Sequence, residues 1–380
     1  RFAGLDVPIL VQAYPDELDQ LNVERRRDAY CGKISVCNNL RQYGLPYSLT
    51  RLHTVHPTDE SFRADLRGFV GVCRVANGLR RARIGAVGAR PGAFKTVRYS
   101  EKLLEASGIS VSTIDLSEIL GPAERIAGDD PRLAERVQAI RDYVPTDGVP
   151  AESLVRMARV ALVLDDWMAE NDLQATALQC WNSVQANYGI SVCTLMSMMS
   201  ERLMPSACEV DVTGAASMYA LQLASGRPAA LVDWNNNYGG DPDKCVLFHC
   251  GNWARSLVTE ARMGYPDILA TTLGREESYG ALAGRVPAWP LGYARISTDD
   301  RAGRVRAYVG EGEFTDDPLD TFGSRAVVRV PRLQRLMRYI CREGFEHHVA
   351  MSATPSAAVL VEALETYLGW DVYHHAAPEE

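Results

Sequence analysis

The chain has 380 residues, 47% hydrophobic and 23% charged, with a formal net charge of −8 at pH 7. That length is too great for one ordinary core, so the composition points to a globular fold of two or three domains. The acidic balance argues against a nucleic-acid partner, because proteins that neutralise phosphates carry a basic excess or a basic stripe.

The longest basic cluster, Arg80, Arg81 and Arg83, is short and reads as a solvated helix end before a strand. The nine cysteines are scattered and contain no CxxC pair. That pattern speaks against a zinc ribbon or dithiol motif and fits free thiols in a reducing, cytoplasmic setting. No apolar run reaches about 18 residues, so no membrane span is predicted.

In chain order, the opening RFAGLDVPILVQAYPDE reads as a helix end, a strand at residues 7–12 and a loop with Tyr14, Pro15 and Asp16. A domain that opens on a core strand lacks its first unit, so residues 1–79 are predicted to be the remainder of an N-terminal α/β domain. Residues 61–79 have helical periodicity, with Phe62, Leu66, Phe69, Val70, Cys73 and Val75 on one broad face. A second α/β domain is predicted over residues 80–227. It starts with a strand at 84–87, a glycine-rich loop at 88–94, a helix at 101–106 ended by Gly108, and a strand at 109–114. Residues 122–150 read as polar and Pro-rich, followed by helices at 151–171, 175–189 and 192–204. A strand end delivers Ala207 to Asp211, and a helix over 213–225 stops at Gly226-Arg227-Pro228.

From residue 228 to 380 the pattern changes to short strands, at 229–234, 245–249, 293–298, 304–311 and 326–331, with helices at 331–342 and 354–367. The fold class is therefore α/β: Rossmann-like α/β domains followed by a C-terminal antiparallel, β-barrel-like domain with helices.

Three features in the C-terminal half can carry chemistry. Glu209 and Asp211 lie in CEVD just before a helix, Asp233 ends an apolar strand in ALVDWNNNYGG, and His347-His348 sit in EGFEHHVA. Carboxylates at strand ends point into the mouth of a sheet. Two of them with one imidazole make a three-ligand site for Mn²⁺ or Mg²⁺ with room for a substrate. Each feature has a bland alternative: Asp211 can cap the helix, Asp233 can start a turn, and the histidine pair can be solvated. His249 in LFHCGN can be a satisfied core histidine, and His374 and His375 read as solvated. The loop GAVGARPGAF follows a strand and precedes a helix but lacks the G-x-G-x-x-G fingerprint and a Walker lysine, so a nucleotide-dependent oxidoreductase is disfavoured.

The order of these segments resembles the L-fucose isomerase family, related in fold to L-arabinose isomerase. The resemblance rests on IGAVGARPGAFKTVRYSEKLLEASGISVSTIDLSEIL, ACEVDVTGA, LVDWNN, LFHCGN and GFEHHVA, and it runs through the whole chain in order. Residues 30–50, YCGKISVCNNLRQYGLPYSLT, have no counterpart in it, which marks a divergent branch. The resemblance implies a metal-dependent aldose–ketose isomerase that moves a proton between C1 and C2 of an open-chain monosaccharide through an enediol. It places the metal, Mn²⁺ or Mg²⁺, on Glu209, Asp233 and His347, with Glu209 and Asp233 as acid and base. Gln179, Trp181, His249, Asn252, Trp289 and Arg90 are candidate sugar contacts, and the loop from Arg90 to Phe94 is predicted to face the cleft. It further implies a homo-oligomer, a hexamer or similar, with shared active sites. L-Fucose, D-arabinose, L-arabinose and acidic or sulfonated hexoses all remain open as substrate. The alternative is a non-catalytic, two-lobed sugar-binding protein.

Overall fold

The computed structural model describes residue 4 and residues 7–376. Near the start, β1 (Leu10–Val11) pairs in parallel with β2 (Ser48–Leu49), and a largely exposed helix, Ala29–Gln42, lies between them in the chain. The long helix Glu60–Leu79 follows, burying Val72, Val75, Ala76 and Leu79.

A four-stranded sheet comes next, built from β3 (Arg83–Val87), β4 (Ser110–Ile114), β5 (Ala175–Leu178) and β6 (Ser206–Ala207) in the order β4-β3-β5-β6. All its pairings are parallel. Here two readings of the sequence are corrected. Residues 175–178, taken as the start of a helix, form β5, and a short helix covers only Ser183–Tyr188. All four residues of β5 are buried, and a short run buried on both faces shows no period that separates strand from helix. The polar, Pro-rich stretch 122–150, to which no element was assigned, is largely helical: Leu116–Arg125 and Pro131–Tyr143 are helices. Asp115 caps the first in a capping box with Glu118, and Asp130 caps the second ahead of Pro131, so the start signals stood in the sequence.

The remaining strands are β7 (Ala230–Asn237), β8 (Lys244–His249), β9 (Thr259–Gly264), β10 (Ala281–Arg285), β11 (Pro290–Asp299), β12 (Arg304–Thr315), β13 (Ser324–Arg329), β14 (His348–Ser352) and β15 (Asp371–His375). They form one sheet in the order β15-β12-β11-β14-β7-β8-β13-β10-β9, and a further β12–β13 pairing closes the stretch from β12 to β13 into a ring. The sheet is mixed rather than antiparallel, because β10–β13 and β12–β15 run parallel. His375, read as solvated, is buried on β15 with Nε2 2.8 Å from the Pro331 carbonyl. The fold is thus mixed α/β with one large mixed sheet. Among the described residues no helix is long and apolar enough to cross a membrane.

The helix Val212–Ser225 joins the two sheets. It is buried nearly all round, and its Ala215, Ala216, Ala220 and Leu221 share one apolar cluster with Ile84 and Ala86 of β3, Ala294 and Ile296 of β11, and Ala350 of β14. A helix apolar on every side belongs in a core. Its small residues let both sheets approach closely, so the loop that feeds its N-terminus, residues 208–211, is pinned where the sheets meet.

Candidate active site

That loop leaves β6 and turns sharply into the helix. Glu209 and Val210 both have φ of 57°, a left-handed conformation uncommon for residues with a Cβ and most unfavourable for a β-branched valine. Such strain persists only where the surroundings over-determine it, and it concentrates at functional sites. The main restraint is Asp211. Its Oδ1 accepts from the Gly214 backbone N–H at 2.8 Å, capping the helix. A Cβ on Gly214 would lie 2.5 Å from Asp211 Oδ2, so only glycine leaves room for the carboxylate.

Capping is a minor part of what Asp211 does. Arg295, buried on β11, grips it with two bonds, Nη1 to Oδ2 at 2.6 Å and Nη2 to Oδ1 at 3.0 Å. The same guanidinium donates to Thr213 Oγ1 at 2.8 Å and to Glu346 Oε2 at 3.1 Å, while Ser297 donates to Glu346 Oε1 at 2.8 Å. Burial works against the charge on Asp211, but Arg295 and His348 override it and hold the carboxyl well below the usual carboxylate range. Burial likewise opposes the charge on Arg295, and Asp211 and Glu346 outweigh it.

The free end of this network is His348, the first residue of β14. Its Nδ1 lies 2.8 Å from Asp211 Oδ2, and an ionised carboxylate only accepts, so Nδ1 carries a proton and Nε2 is the nitrogen that offers a lone pair whenever the imidazole is neutral. His348 Nε2 faces Glu209 Oε2 at 3.7 Å and Asp233 Oδ1 at 3.5 Å. Strand register enforces part of this, since His348 lies directly opposite Asp233 across the β14–β7 ladder. Glu209 is aimed by its other oxygen: Trp181 Nε1 donates to Oε1 at 2.8 Å and Cys180 Sγ lies 3.4 Å from it. His249 completes the cluster, with Nε2 3.6 Å from Glu209 Oε2 and Nδ1 accepting from the Cys250 backbone N–H at 3.0 Å.

Three atoms in this cluster, Glu209 Oε2, Asp233 Oδ1 and His348 Nε2, are buried without a hydrogen-bond partner among the described residues. Buried polar atoms left bare are costly. Ligand-capable atoms here form two overlapping trios, Glu209 with His249 and His348 and Asp233 with His347 and His348, each within 4.8 Å, and His348 belongs to both; carboxylate oxygens with imidazole suit a divalent cation. The Asp211–His348 bond is the orienting contact that metal-bound histidines make through their second nitrogen.

The sequence candidates fall into two groups. Glu209, Asp233, Trp181, His249 and His348 line one cavity of 240 Å³, and Phe94 and Phe248 form part of its apolar wall. Phe94 brings the glycine-rich loop to the cleft, 5.3 Å from Trp181 between ring centroids and nearly perpendicular to it. His347 stands at the rim, 45% exposed, with Nε2 3.5 Å from Asp233 Oδ1. Partial burial and the neighbouring His348 lower its pKa. Outside this lining, Gln179 accepts from the Ala89 backbone N–H at 2.8 Å and packs on the glycine-rich turn. Arg90 lines a separate cavity beside Lys95 and Arg301. Asn252 is buried with both amide atoms unpartnered among the described residues, and Trp289 is exposed on the outer surface. The sequence reading missed Arg295 and Glu346. A lone arginine inside the apolar run LGYARIS was the available signal, since a buried guanidinium requires carboxylate partners.

A strained carboxylate loop, a second carboxylate one strand away and an imidazole between them define a site able to move protons on a small polyol beside a cation. Residues 1–80 match the N-terminal domain of fucose/sulfoquinovose isomerase, and residues 247–375 match the C-terminal domain of L-fucose isomerase. The chain belongs to the L-fucose isomerase-like family, as a divergent member, and is an aldose–ketose isomerase of carbohydrate metabolism, not a non-catalytic sugar-binding protein. It is 26% identical to a sulfoquinovose isomerase of Alkalicoccus urumqiensis over 324 residues, 84% of this chain and 70% of that one. It is 26% identical to the sulfoquinovose isomerase of Clostridium sp. (strain MSTE9) over 310 residues, covering 77% of this chain and 64% of that one. The corresponding protein of Priestia aryabhattai is 24% identical over 336 residues, 86% of this chain and 71% of that one.

Proposed function

We propose that this isomerase is metal-dependent, that Glu209, Asp233 and His348 hold the cation, and that it converts a sulfonated aldose to its ketose through an enediol. One observation carries the reading: the bare, buried Glu209 Oε2 and Asp233 Oδ1 lie 3.7 and 3.5 Å from the equally bare Nε2 of His348, which stands between them. His348 takes the ligand role that the resemblance put on His347, because it is the buried one, it meets both carboxylates, and Asp211 orients it. Hard oxygen donors with one imidazole favour Mn²⁺ or Mg²⁺. Such an ion, when bound, polarises the sugar carbonyl and offsets the negative charge of the enediolate.

The chain's own groups do the rest. Glu209, fixed at Oε1 by Trp181, takes the carbon-bound proton at Oε2 and returns it to the neighbouring carbon. Asp233 carries the hydroxyl proton between O1 and O2. Phe94, Trp181 and Phe248 cover apolar sugar faces and exclude water from the enediol. The names of the relatives support a sulfonated sugar over a neutral one. Assembly as a homo-oligomer, a hexamer or similar, is supported by the apolar side chains left bare near the N-terminus, among them Leu18, Val23 and Tyr43. Sedimentation of an active monomer would count against that assembly.

The test is turnover of a C2-deuterated sulfonated aldose with Mn²⁺ added. The reading requires ketose formation with part of the deuterium exchanged into solvent from the Glu209 carboxyl and the rest carried to C1. Complete retention of deuterium at C1 would point to a hydride shift instead, and no ketose from any aldose would overturn the assignment.

A further inference from the structure

A second cavity, of 380 Å³, lies against the first. Cys250 lines both. Phe248 of the catalytic cavity and Phe322 of the second meet edge to face at 5.2 Å between centroids where the two cavities adjoin. The floor of the second cavity is small: Gly264, Ala281, Ala283 and Gly323. Its walls carry Arg262 and Arg325.

These guanidiniums are placed by register. Arg325 is paired with Phe248 on one side and with Arg285 on the other, and Arg262 is paired with Ala283, two residues from Arg285. Paired residues project to one face, so three arginines share a side of the sheet. Among the described residues none of them forms an ion pair, and the partners of two are carbonyls. Arg325 Nη1 donates to Gly323 O at 3.2 Å, and Arg285 donates to the carbonyls of Thr315 and Asp317. Arg325 Nε is buried with no acceptor. An orphaned buried donor among like charges marks a place for an acceptor.

We infer that this groove is the subsite for a fixed oxyanion at the far end of the sugar, with Arg325 and Arg262 as its ligands. The inference rests on the isomerase reading and specifies how that site chooses its substrate. Asp267 and Asp320 also line the groove, so it suits a single negative charge better than the nearly doubled charge of a phosphate monoester. A sulfonate carries one charge at every pH of interest and offers three acceptor oxygens, which a guanidinium fork can grip with two bonds.

The test uses the full chain with Mn²⁺ and four substrates that share a hexose frame: 6-deoxy-6-sulfo-D-glucose, D-glucose 6-phosphate, D-glucuronate and D-glucose. The wild type is expected to favour the sulfonate by kcat/KM. In Arg325→Ala the preference for sulfonate over D-glucose should fall by at least about tenfold, mostly through KM, the scale of a charge-assisted hydrogen bond. Arg325→Lys should recover part of it. Should Arg325→Ala not fold, ethanesulfonate serves on the wild type: it should compete with the sulfonated sugar at concentrations that leave D-glucose turnover unaffected. Equal selectivity in wild type and Arg325→Ala, a wild-type preference for phosphate, carboxylate or neutral sugar, or no competition by ethanesulfonate would each overturn the subsite while leaving the isomerase reading intact. Failure of the wild type to isomerise any of the four would remove the sulfonated-aldose reading together with the subsite.

Discussion

The carboxylate–imidazole centre and the arginine groove share a wall yet handle charge in opposite ways. Around Glu209 every supporting charge has a partner: Arg295 is bound by Asp211 and Glu346, and Asp211 also holds His348. At the groove Arg325 and the neighbouring Arg285 donate to carbonyls and Arg325 Nε is bare, although Asp267 and Asp320 line the same walls. The first arrangement fixes three bare atoms in place before any ligand arrives, which is what proton transfer beside a cation requires. The second leaves a donor, Arg325 Nε, without an acceptor until an oxyanion enters, which favours recognition over chemistry. The difference separates the residues that set rate from those that set choice of sugar.

The largest effect should come from breaking the buried network. Arg295→Met leaves Asp211 and Glu346 buried and unpaired, and removal of one partner of such a pair costs about 3–5 kcal/mol, measurable by urea unfolding. The pH dependence has a definite sign. The folded-state pKa of Asp211 is depressed, so its stabilisation is fully present above the unfolded value near 3.9 and is lost as pH falls through the folded value. Asp211→Asn should flatten the fall in stability on the acid side of about pH 4.

Next in size is Glu209→Gln, which keeps the shape and removes the base. Turnover should drop at least about a hundredfold with the fold intact by circular dichroism. Near-normal turnover would exclude Glu209 as the proton carrier. Trp181→Phe removes the bond that aims Glu209 while keeping an aromatic wall, and a loss of roughly tenfold in kcat is expected, the scale of one hydrogen bond to a charged group. If KM alone rises, Trp181 contacts sugar and does not position the base.

Much of the site's composition was legible in the sequence, because carboxylates placed at the ends of apolar strands stand out. Glu209 and Asp233 stand out that way, and both line one cavity with His348. The resemblance put the ligand on His347, whereas the proposed ligand is His348; the choice depends on which residue lies opposite Asp233 across the β14–β7 ladder, and a shift of one residue exchanges the faces. Asp211 was legible as a cap but not as a hub, because its partners Arg295 and His348 lie 84 and 137 residues away. The fold was clearest where caps and glycines punctuate it, as at Gly108 and Gly226, and least clear at β5 and β9, which are short or bulged. The mixed character of the large sheet rests on the long-range β10–β13 and β12–β15 pairings, which no local pattern encodes.

The most direct test is Mn²⁺ binding to chelator-stripped protein, read from the free-ion paramagnetic resonance signal, in the wild type, His347→Ala and His348→Ala. His348→Ala should weaken binding by more than about tenfold, the scale set by metal-site partners, and His347→Ala by much less. The reverse order, or equal binding in all three proteins, would contradict a centre built on Glu209, Asp233 and His348.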